Sequence, residues 1–69
     1  MDVRKKLGSK VQRLRHDQGL SQEELADRAG LHRTYVSGVE RGVRNPTLTV
    51  VERLARALGV SVAVLVAFD

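Results

Sequence analysis

The sequence predicts an all-α fold of five short helices, and three observations carry that prediction. Apolar residues recur three or four positions apart over most of the 69 residues. A serine or threonine begins three of the predicted helices, where its side chain can accept a backbone hydrogen bond. Glycines, which readily adopt the left-handed conformation that ends a helix, follow the first four: Gly19, Gly30, Gly42 and Gly59.

The first helix is predicted to run from about Val3 to Asp17. Basic residues occupy most of its surface. Residues spaced four, four and three apart form its apolar face: Val3, Leu7, Val11 and Leu14.

The second helix has the clearest start in the sequence. Ser21 followed by Glu24 is the pattern of a capping box, and Leu20 with Leu25 can form the hydrophobic staple that accompanies it. A helix is therefore predicted over residues 22–29.

The third helix is predicted over about Arg33 to Arg41, with Val36 and Val39 facing inward. Its N-cap would be His32, and histidine is poor in that role.

The last two helices differ in clarity. Thr47 can cap a fourth helix, whose apolar residues repeat at helical spacing: Leu48, Val51, Leu54, Ala55 and Leu58. Ser61 can cap a short fifth helix, but four residues of this segment also alternate as in a strand, so both alternatives stay open: Val62, Val64, Val66 and Phe68.

Composition narrows the class of protein. The chain has no cysteine, which excludes disulfides, thiolate metal sites and a cysteine nucleophile. Its length fits a single domain over residues 1–69, stabilised by packing and self-association. The longest apolar stretch, 60–68, is far shorter than the roughly 20 residues that span a bilayer, and no signal peptide is recognisable. We expect a cytoplasmic protein, bacterial or phage-encoded, with no membrane partner.

The charge of the chain favours an anionic partner such as nucleic acid. Twelve basic residues exceed eight acidic ones, and the whole excess lies in residues 1–20, which hold six bases and two acids. A basic helix is more often only a solvated surface, so charge alone does not decide. Only Tyr35 and Phe68 are aromatic, which argues against stacking on single-stranded nucleic acid.

The join between the second and third helices is the most informative feature. Ala26 and Gly30 lie where two short helices must approach closely, and Val36 and Val39 lie where the later helix packs on the earlier one. This is the spacing of a helix-turn-helix, whose second helix presents its N-terminal side chains to the major groove of DNA. Plain packing in a helical bundle fits the spacing equally well.

A longer pattern extends over nearly the whole chain. Its segments are Val11-x-x-Leu14-Arg15, Gly19-Leu20-Ser21-Gln22-Glu23-Glu24-Leu25-Ala26, Ala29-Gly30-Leu31, Tyr35-Val36-Ser37, Val39-Glu40-Arg41-Gly42, Asn45-Pro46-Thr47-Leu48 and Leu54-Ala55-Arg56-Ala57-Leu58-Gly59-Val60. These segments resemble the Cro/C1-type (Xre-like) helix-turn-helix family of phage repressors and small bacterial regulators. The resemblance implies a five-helix, lambda-repressor-like DNA-binding domain with its helix-turn-helix at about residues 21–41.

The resemblance also implies which residues contact DNA. Gln22 matches a glutamine that reaches a backbone phosphate and braces the first residues of the recognition helix, although it can also be a plain surface residue. Arg33 and Thr34 match the first two recognition positions. Arg33 suits bidentate pairing with guanine, or it contacts phosphate instead. Tyr35 and Ser37 lie on the same helix and are included in the predicted DNA surface.

The sequence departs from the family at Gly38, where many relatives place a longer base-reading side chain. A glycine inside a helix costs about 1 kcal/mol relative to alanine. Either the helix backbone approaches the DNA closely there, or the position reads no base. In the following loop Arg41, Arg44 and Asn45 are predicted to reach phosphates or the minor groove, which positions the protein more than it specifies sequence.

Glu40 is an unusual acid to hold beside a polyanion. Its counterpart in the family pairs with an arginine that aligns with Arg15, so the resemblance implies a structural Arg15–Glu40 ion pair.

Catalysis, metals and cofactors are not expected. His16 and His32 are far apart in sequence, the chain has no glycine-rich phosphate loop, and Ser21 is better explained as a cap. The acids of the second helix suit the positive end of its dipole: Glu23, Glu24 and Asp27.

One recognition helix per chain favours a symmetric homodimer that reads a pseudo-palindromic operator, with half-sites roughly 34 Å apart. The tail, residues 59–68, is too apolar for a short terminal helix. Some of Val62, Leu65 and Val66 can close the core. Three others remain for the dimer contact: Val60, Val64 and Phe68.

We expect a transcriptional regulator that acts as a repressor or an autoregulating controller. The alternative is a protein-interaction module of the same fold, an antitoxin-like or bridging factor that binds a protein partner through the tail. Arg33, Thr34 and the bases of the first helix separate the two, because DNA binding needs them.

Overall fold

A computed structural model describes residues 2–68, and the regular structure within that range is helical. The helices are α1 (Val3–Asp17), α2 (Gln22–Ala29), α3 (Arg33–Glu40), α4 (Leu48–Ala57) and α5 (Val62–Leu65). The all-α prediction is confirmed, and the third helix ends one residue earlier than expected. In the last segment the helix forms and the strand does not, since the Ser61 hydroxyl accepts a hydrogen bond from the backbone of Val64 at 3.1 Å.

The helix caps follow the predictions closely. Ser21 and Glu24 form a reciprocal capping box at α2, and Thr47 caps α4. His32 begins α3 without a side-chain cap. One cap was not anticipated: Asp2 accepts a hydrogen bond from the backbone of Arg4 at 2.9 Å and so caps α1.

The core is formed by one face of each helix. Two residues predicted to belong to it do not, because Val3 is 61% exposed and Leu48 is 75% exposed. Each is the first residue of its helix, where the apolar face extends beyond the neighbouring elements. The buried apolar residues are Leu7, Val11, Leu20, Leu25, Ala26, Ala29, Val36, Val39, Val51, Leu54, Ala55, Leu58 and Leu65.

Helix α1 contacts α3 and α5, while α2 contacts α3 and α4, and α4 also contacts α5. The crossing of α1 with α3 is very close at Gly8. A methyl group placed on Gly8 would lie 2.6 Å from the carbonyl oxygen of Glu40. This close crossing fixes the distance between α1 and the helix predicted to read DNA. No helix among residues 2–68 is long and apolar enough to cross a membrane.

Candidate nucleic-acid interface

Helix α3 has an inner side held in the core and an outer side open to solvent. On the inner side Val36 and Val39 are buried against the small residues Ala26 and Ala29 of the core. Gly30 ends α2 with a φ of 68°, and this left-handed turn leads the chain into α3. The result is a helix pair with the geometry that the sequence spacing predicts.

The outer side of α3 presents the first predicted recognition residues. Arg33 and Thr34 are exposed in the first turn, whereas Tyr35 and Ser37 are half-buried. The side chain of Arg33 makes no ion pair or hydrogen bond with residues 2–68. Its guanidinium is therefore available to a ligand.

A buried polar network fixes the inner side of α3 at its end. The Arg15 guanidinium donates to both oxygens of Glu40, with Nε to Oε2 at 2.7 Å and Nη2 to Oε1 at 2.9 Å. Its Nη1 donates to the carbonyl oxygen of Leu20 at 2.8 Å. This is the ion pair that the resemblance implies, and the hydrogen bonds to Glu40 raise the pKa of Arg15 above its ordinary value.

Gln22 belongs to the same network. Its side-chain amide donates to Oε1 of Glu40 at 3.1 Å, and the residue is half-buried. Gln22 therefore links the start of α2 to the end of α3. The resemblance implies that Gln22 braces the first residues of the recognition helix, whereas the contact in the structure is to Glu40, the last residue of α3.

Gly38 lies under the side chain of Arg44. A methyl group on Gly38 would lie 2.7 Å from Cγ of Arg44, and the guanidinium carbon of Arg44 lies 5.5 Å from the centre of the Tyr35 ring. The backbone of Gly38 is thus buried, so in this structure it is not an open surface for close approach of DNA. Sequence reasoning missed this contact because nothing in the spacing shows that the loop folds back over α3.

The loop after α3 adds positive charge beside the recognition helix. Arg41 and Asn45 are exposed, and the loop is closed by a backbone hydrogen bond from Val43 to the carbonyl oxygen of Gly38 at 3.0 Å. Glu40 is the only acid in residues 32–46, and Arg15 pairs with it. The surface formed by α3 and this loop is therefore cationic.

Four bases of α1 line an open cleft of about 640 Å³ together with residues of the tail, and the ammonium of Lys10 lies 3.5 Å from the carbonyl oxygen of Ala67. Lys5 also lies against the loop after α3, since a methyl group on Gly42 would lie 2.6 Å from Cγ of Lys5. The lining residues are Lys5, Lys6, Ser9, Lys10, Arg13, Ala67 and Phe68.

The tail distributes its apolar residues differently from the prediction. Leu65 is fully buried, but Val66, predicted as a core candidate, is 41% exposed because it follows the last turn of α5. Of the residues predicted for the dimer contact, Val64 is 44% exposed, whereas Val60 and Phe68 are half-buried and pack against the core. Val64 and Val66 are therefore the large apolar side chains that the tail exposes.

Residues with catalytic potential are occupied by structural contacts or lie apart. The Ser21 hydroxyl accepts a hydrogen bond from the backbone of Glu24 at 3.0 Å, and the Glu24 carboxylate accepts one from the backbone of Ser21 at 2.9 Å. This second bond lowers the pKa of Glu24. Within residues 2–68 no three His, Asp or Glu side chains are grouped as a metal site.

Comparisons with known proteins agree with this geometry. An uncharacterized HTH-type transcriptional regulator of Sinorhizobium fredii, y4dJ, is 52% identical over 61 residues, which are 88% of this chain and 79% of the relative. The crystal structure of the restriction-modification controller protein C.AhdI from Aeromonas hydrophila superposes with a TM-score of 0.88 at 47% identity, covering 90% of this chain and 94% of that one.

A second controller protein, C.Esp1396I, is known as a tetramer in complex with its natural 35 base-pair operator. It superposes with a TM-score of 0.87 at 35% identity, covering 94% of this chain and 86% of that one. A helix-turn-helix family model matches residues 11–65. The chain belongs to the Cro/C1-type helix-turn-helix family.

Proposed function

We propose that this chain is a sequence-specific regulator of transcription that reads the major groove of double-stranded DNA with the first turn of α3. The observation that carries the proposal is the contrast within α3. Arg33 and Thr34 are exposed at its start, while Glu40 at its end is buried in a hydrogen-bonded ion pair. A helix held this way can enter a groove without losing its position on the domain.

The residues around the first turn take complementary roles. Arg33 pairs with a guanine edge, because its planar guanidinium matches O6 and N7. Arg41 and Asn45 contact phosphates from the loop, which sets the register of the protein on the duplex. Gln22 braces α3 through Glu40 and lies at the start of α2, where free backbone N–H groups favour a phosphate.

We further propose that the protein binds as a homodimer to a pseudo-palindromic operator. Val64 and Val66 are both exposed on a small domain, and exposed apolar side chains of this kind support an interface. Val60 and Phe68 flank this surface and complete the contact. A dilution series tests the dimer: a mass that stays at the monomer value up to high concentration would refute it.

The relatives support a controller that represses or regulates its own transcription. Two of the similar structures are restriction-modification controller proteins, and one of them is bound to its operator. We propose the same class of action for this chain, in the cytoplasm and without a catalytic step or a cofactor.

Selection of duplexes from a random library tests the proposal directly. The purified protein is mixed with the library at near-physiological salt, because affinity for DNA depends strongly on salt. We expect enrichment of a near-palindrome with half-sites about one helical turn, roughly 34 Å, apart. Folded protein that enriches no sequence would contradict the proposal.

That negative result would favour the second candidate, a protein-interaction module that acts through its tail. The exposed pair Val64 and Val66 is the observation behind it. The two functions separate at Arg33. Arg33→Ala should change the base preference in the DNA selection and leave binding of a protein partner intact, while Val64→Asp should remove binding of a protein partner.

A further inference from the structure

Gly38 is a helical residue without a side chain, yet it is buried. Its cover comes from Arg44, six residues later in the loop after α3. A methyl group on Gly38 would lie 2.7 Å from Cγ and 3.3 Å from Nε of Arg44. Arg44 can lie across α3 at Gly38 only because this residue has no side chain.

Two further contacts hold Arg44 in this place. Its guanidinium carbon lies 5.5 Å from the centre of the Tyr35 ring, inside the roughly 6 Å range of a cation–π interaction. Its backbone nitrogen donates to the carbonyl oxygen of Gly38 at 3.3 Å. Both the backbone and the side chain of Arg44 are therefore fixed relative to α3, although the residue as a whole is exposed.

We propose that Gly38 is a positioning residue for DNA recognition, whose bare Cα lets the loop residue Arg44 lie across the recognition helix against Tyr35. Arg44 then supplies, from outside α3, the DNA-contacting group that the second turn of α3 itself lacks. This inference rests on the proposed function. It explains why a helix would retain a glycine where alanine has the higher helix propensity.

A side chain at position 38 would collide with Arg44. In Gly38→Ala the new methyl overlaps Cγ of Arg44, which is near the root of that side chain and cannot avoid it by moving its far end. Arg44 must rotate away from α3 and lose the Tyr35 ring. The backbone hydrogen bonds of the loop end on the carbonyl oxygen of Gly38, so they persist.

A measurement without DNA tests the position of Arg44. Tyr35 is the only tyrosine, the chain has no tryptophan, and its one phenylalanine, Phe68, lines the cleft between α1 and the tail. Ring-current shifts of the Arg44 methylene protons that Tyr35→Leu removes therefore report this contact. We expect these shifts in the wild type and their loss in both Tyr35→Leu and Gly38→Ala. Wild-type shifts equal to those of Tyr35→Leu would overturn the inference even if Gly38→Ala does not fold. Unchanged shifts in folded Gly38→Ala would overturn it too.

A double-mutant cycle on the selected duplex tests the role in DNA binding. We expect Gly38→Ala and Arg44→Ala each to weaken binding about tenfold, and the double variant to be no weaker than either, because both remove the same contact. Arg41→Ala is the matched control, since its effect should multiply with that of Gly38→Ala. Loss of about a hundredfold in the Gly38–Arg44 double variant would show independent effects and refute the coupling.

The two proposals fail in different ways. A wild type that binds no duplex refutes the proposed function and the DNA role of Arg44 with it. A wild type that binds DNA while Arg44→Ala binds equally well refutes only the role of Arg44.

Discussion

The two sides of α3 use arginine in opposite ways. On the inner side, Arg15 is 7% exposed and all the charge of its guanidinium is met by Glu40 and the carbonyl oxygen of Leu20. On the outer side, Arg33 is exposed and has no partner among residues 2–68. The same residue type is structural where it is buried and paired, and available for binding where it is not.

The difference follows from the cost of burying charge. A buried guanidinium without a partner costs several kcal/mol, so a buried arginine must be fully hydrogen-bonded. An exposed arginine retains its water and can exchange it for a phosphate or a base edge. Substitutions on the inner side should therefore change stability, and those on the outer side should change DNA binding.

Glu40→Ala should show the largest effect on the inner side. It leaves Arg15 buried and unpaired, which is expected to cost about 3–5 kcal/mol in the free energy of unfolding and to lower the melting temperature markedly. Thermal and urea unfolding measure both. Glu52→Ala is the matched control, because Glu52 is exposed and lies 3.8 Å from Arg56, and its effect should be small. An unchanged melting temperature in Glu40→Ala would contradict the structural role of the pair.

Gly8→Ala should cause the second-largest loss of stability. Its methyl would press on the backbone of α3 at Glu40, and overpacking of this kind costs about 1–3 kcal/mol. Urea unfolding measures the loss. Ser9→Ala, one residue along the same helix and exposed, should not destabilise. Equal stability of the two variants would show that α1 and α3 are not in close contact.

Ser21→Ala should cost about 1 kcal/mol, because it removes the N-cap of α2. The cap also makes the stability of the protein depend on pH. The pKa of Glu24 is lowered by its hydrogen bond to the backbone of Ser21, so this stabilisation is complete above the unfolded pKa and lost as pH falls through the folded one. Glu24→Gln should therefore flatten the acid side of the stability profile below about pH 4.5. If the stability of Glu24→Gln falls with decreasing pH as steeply as that of the wild type, this contribution is ruled out.

The sequence predicts that DNA binding needs the bases of the first helix, but in the structure Lys10 lies against the tail, so Lys10→Ala should have the smallest effect on DNA binding. Its ammonium faces the tail at Ala67, so the slope of log K against log salt should stay unchanged. Arg41→Ala, in the loop beside α3, should lower the slope by about one unit. Equal reductions in the two variants would show that DNA also contacts α1.

Local signals were enough to predict the first four helices, whereas they left the fifth open between helix and strand. Glycine stops, the capping box at Ser21 and the apolar periodicity depend on neighbours within a turn or two, and the structure has helices at those places. The errors fall where a pattern extends past its packing partner, as at Val3 and Leu48, which begin their helices in solvent.

The contacts that organise the site could be predicted only in part. The Arg15–Glu40 pair was implied by the family resemblance, since the two residues are 25 positions apart. The covering of Gly38 by Arg44 and the close crossing at Gly8 depend on how separate segments pack in three dimensions. The sequence shows that Gly38 is unusual inside a helix, but it does not show which atoms approach Gly38 or Gly8.

The measurement that tests the central claim most directly compares wild type and Arg33→Ala for unfolding free energy and base preference on the selected duplex. The account predicts unchanged stability and a loss of about 1–3 kcal/mol in binding, concentrated at one base pair of each half-site. A variant that loses stability, or one that keeps the full base preference, would contradict the assignment of the outer side of α3 as the reading surface.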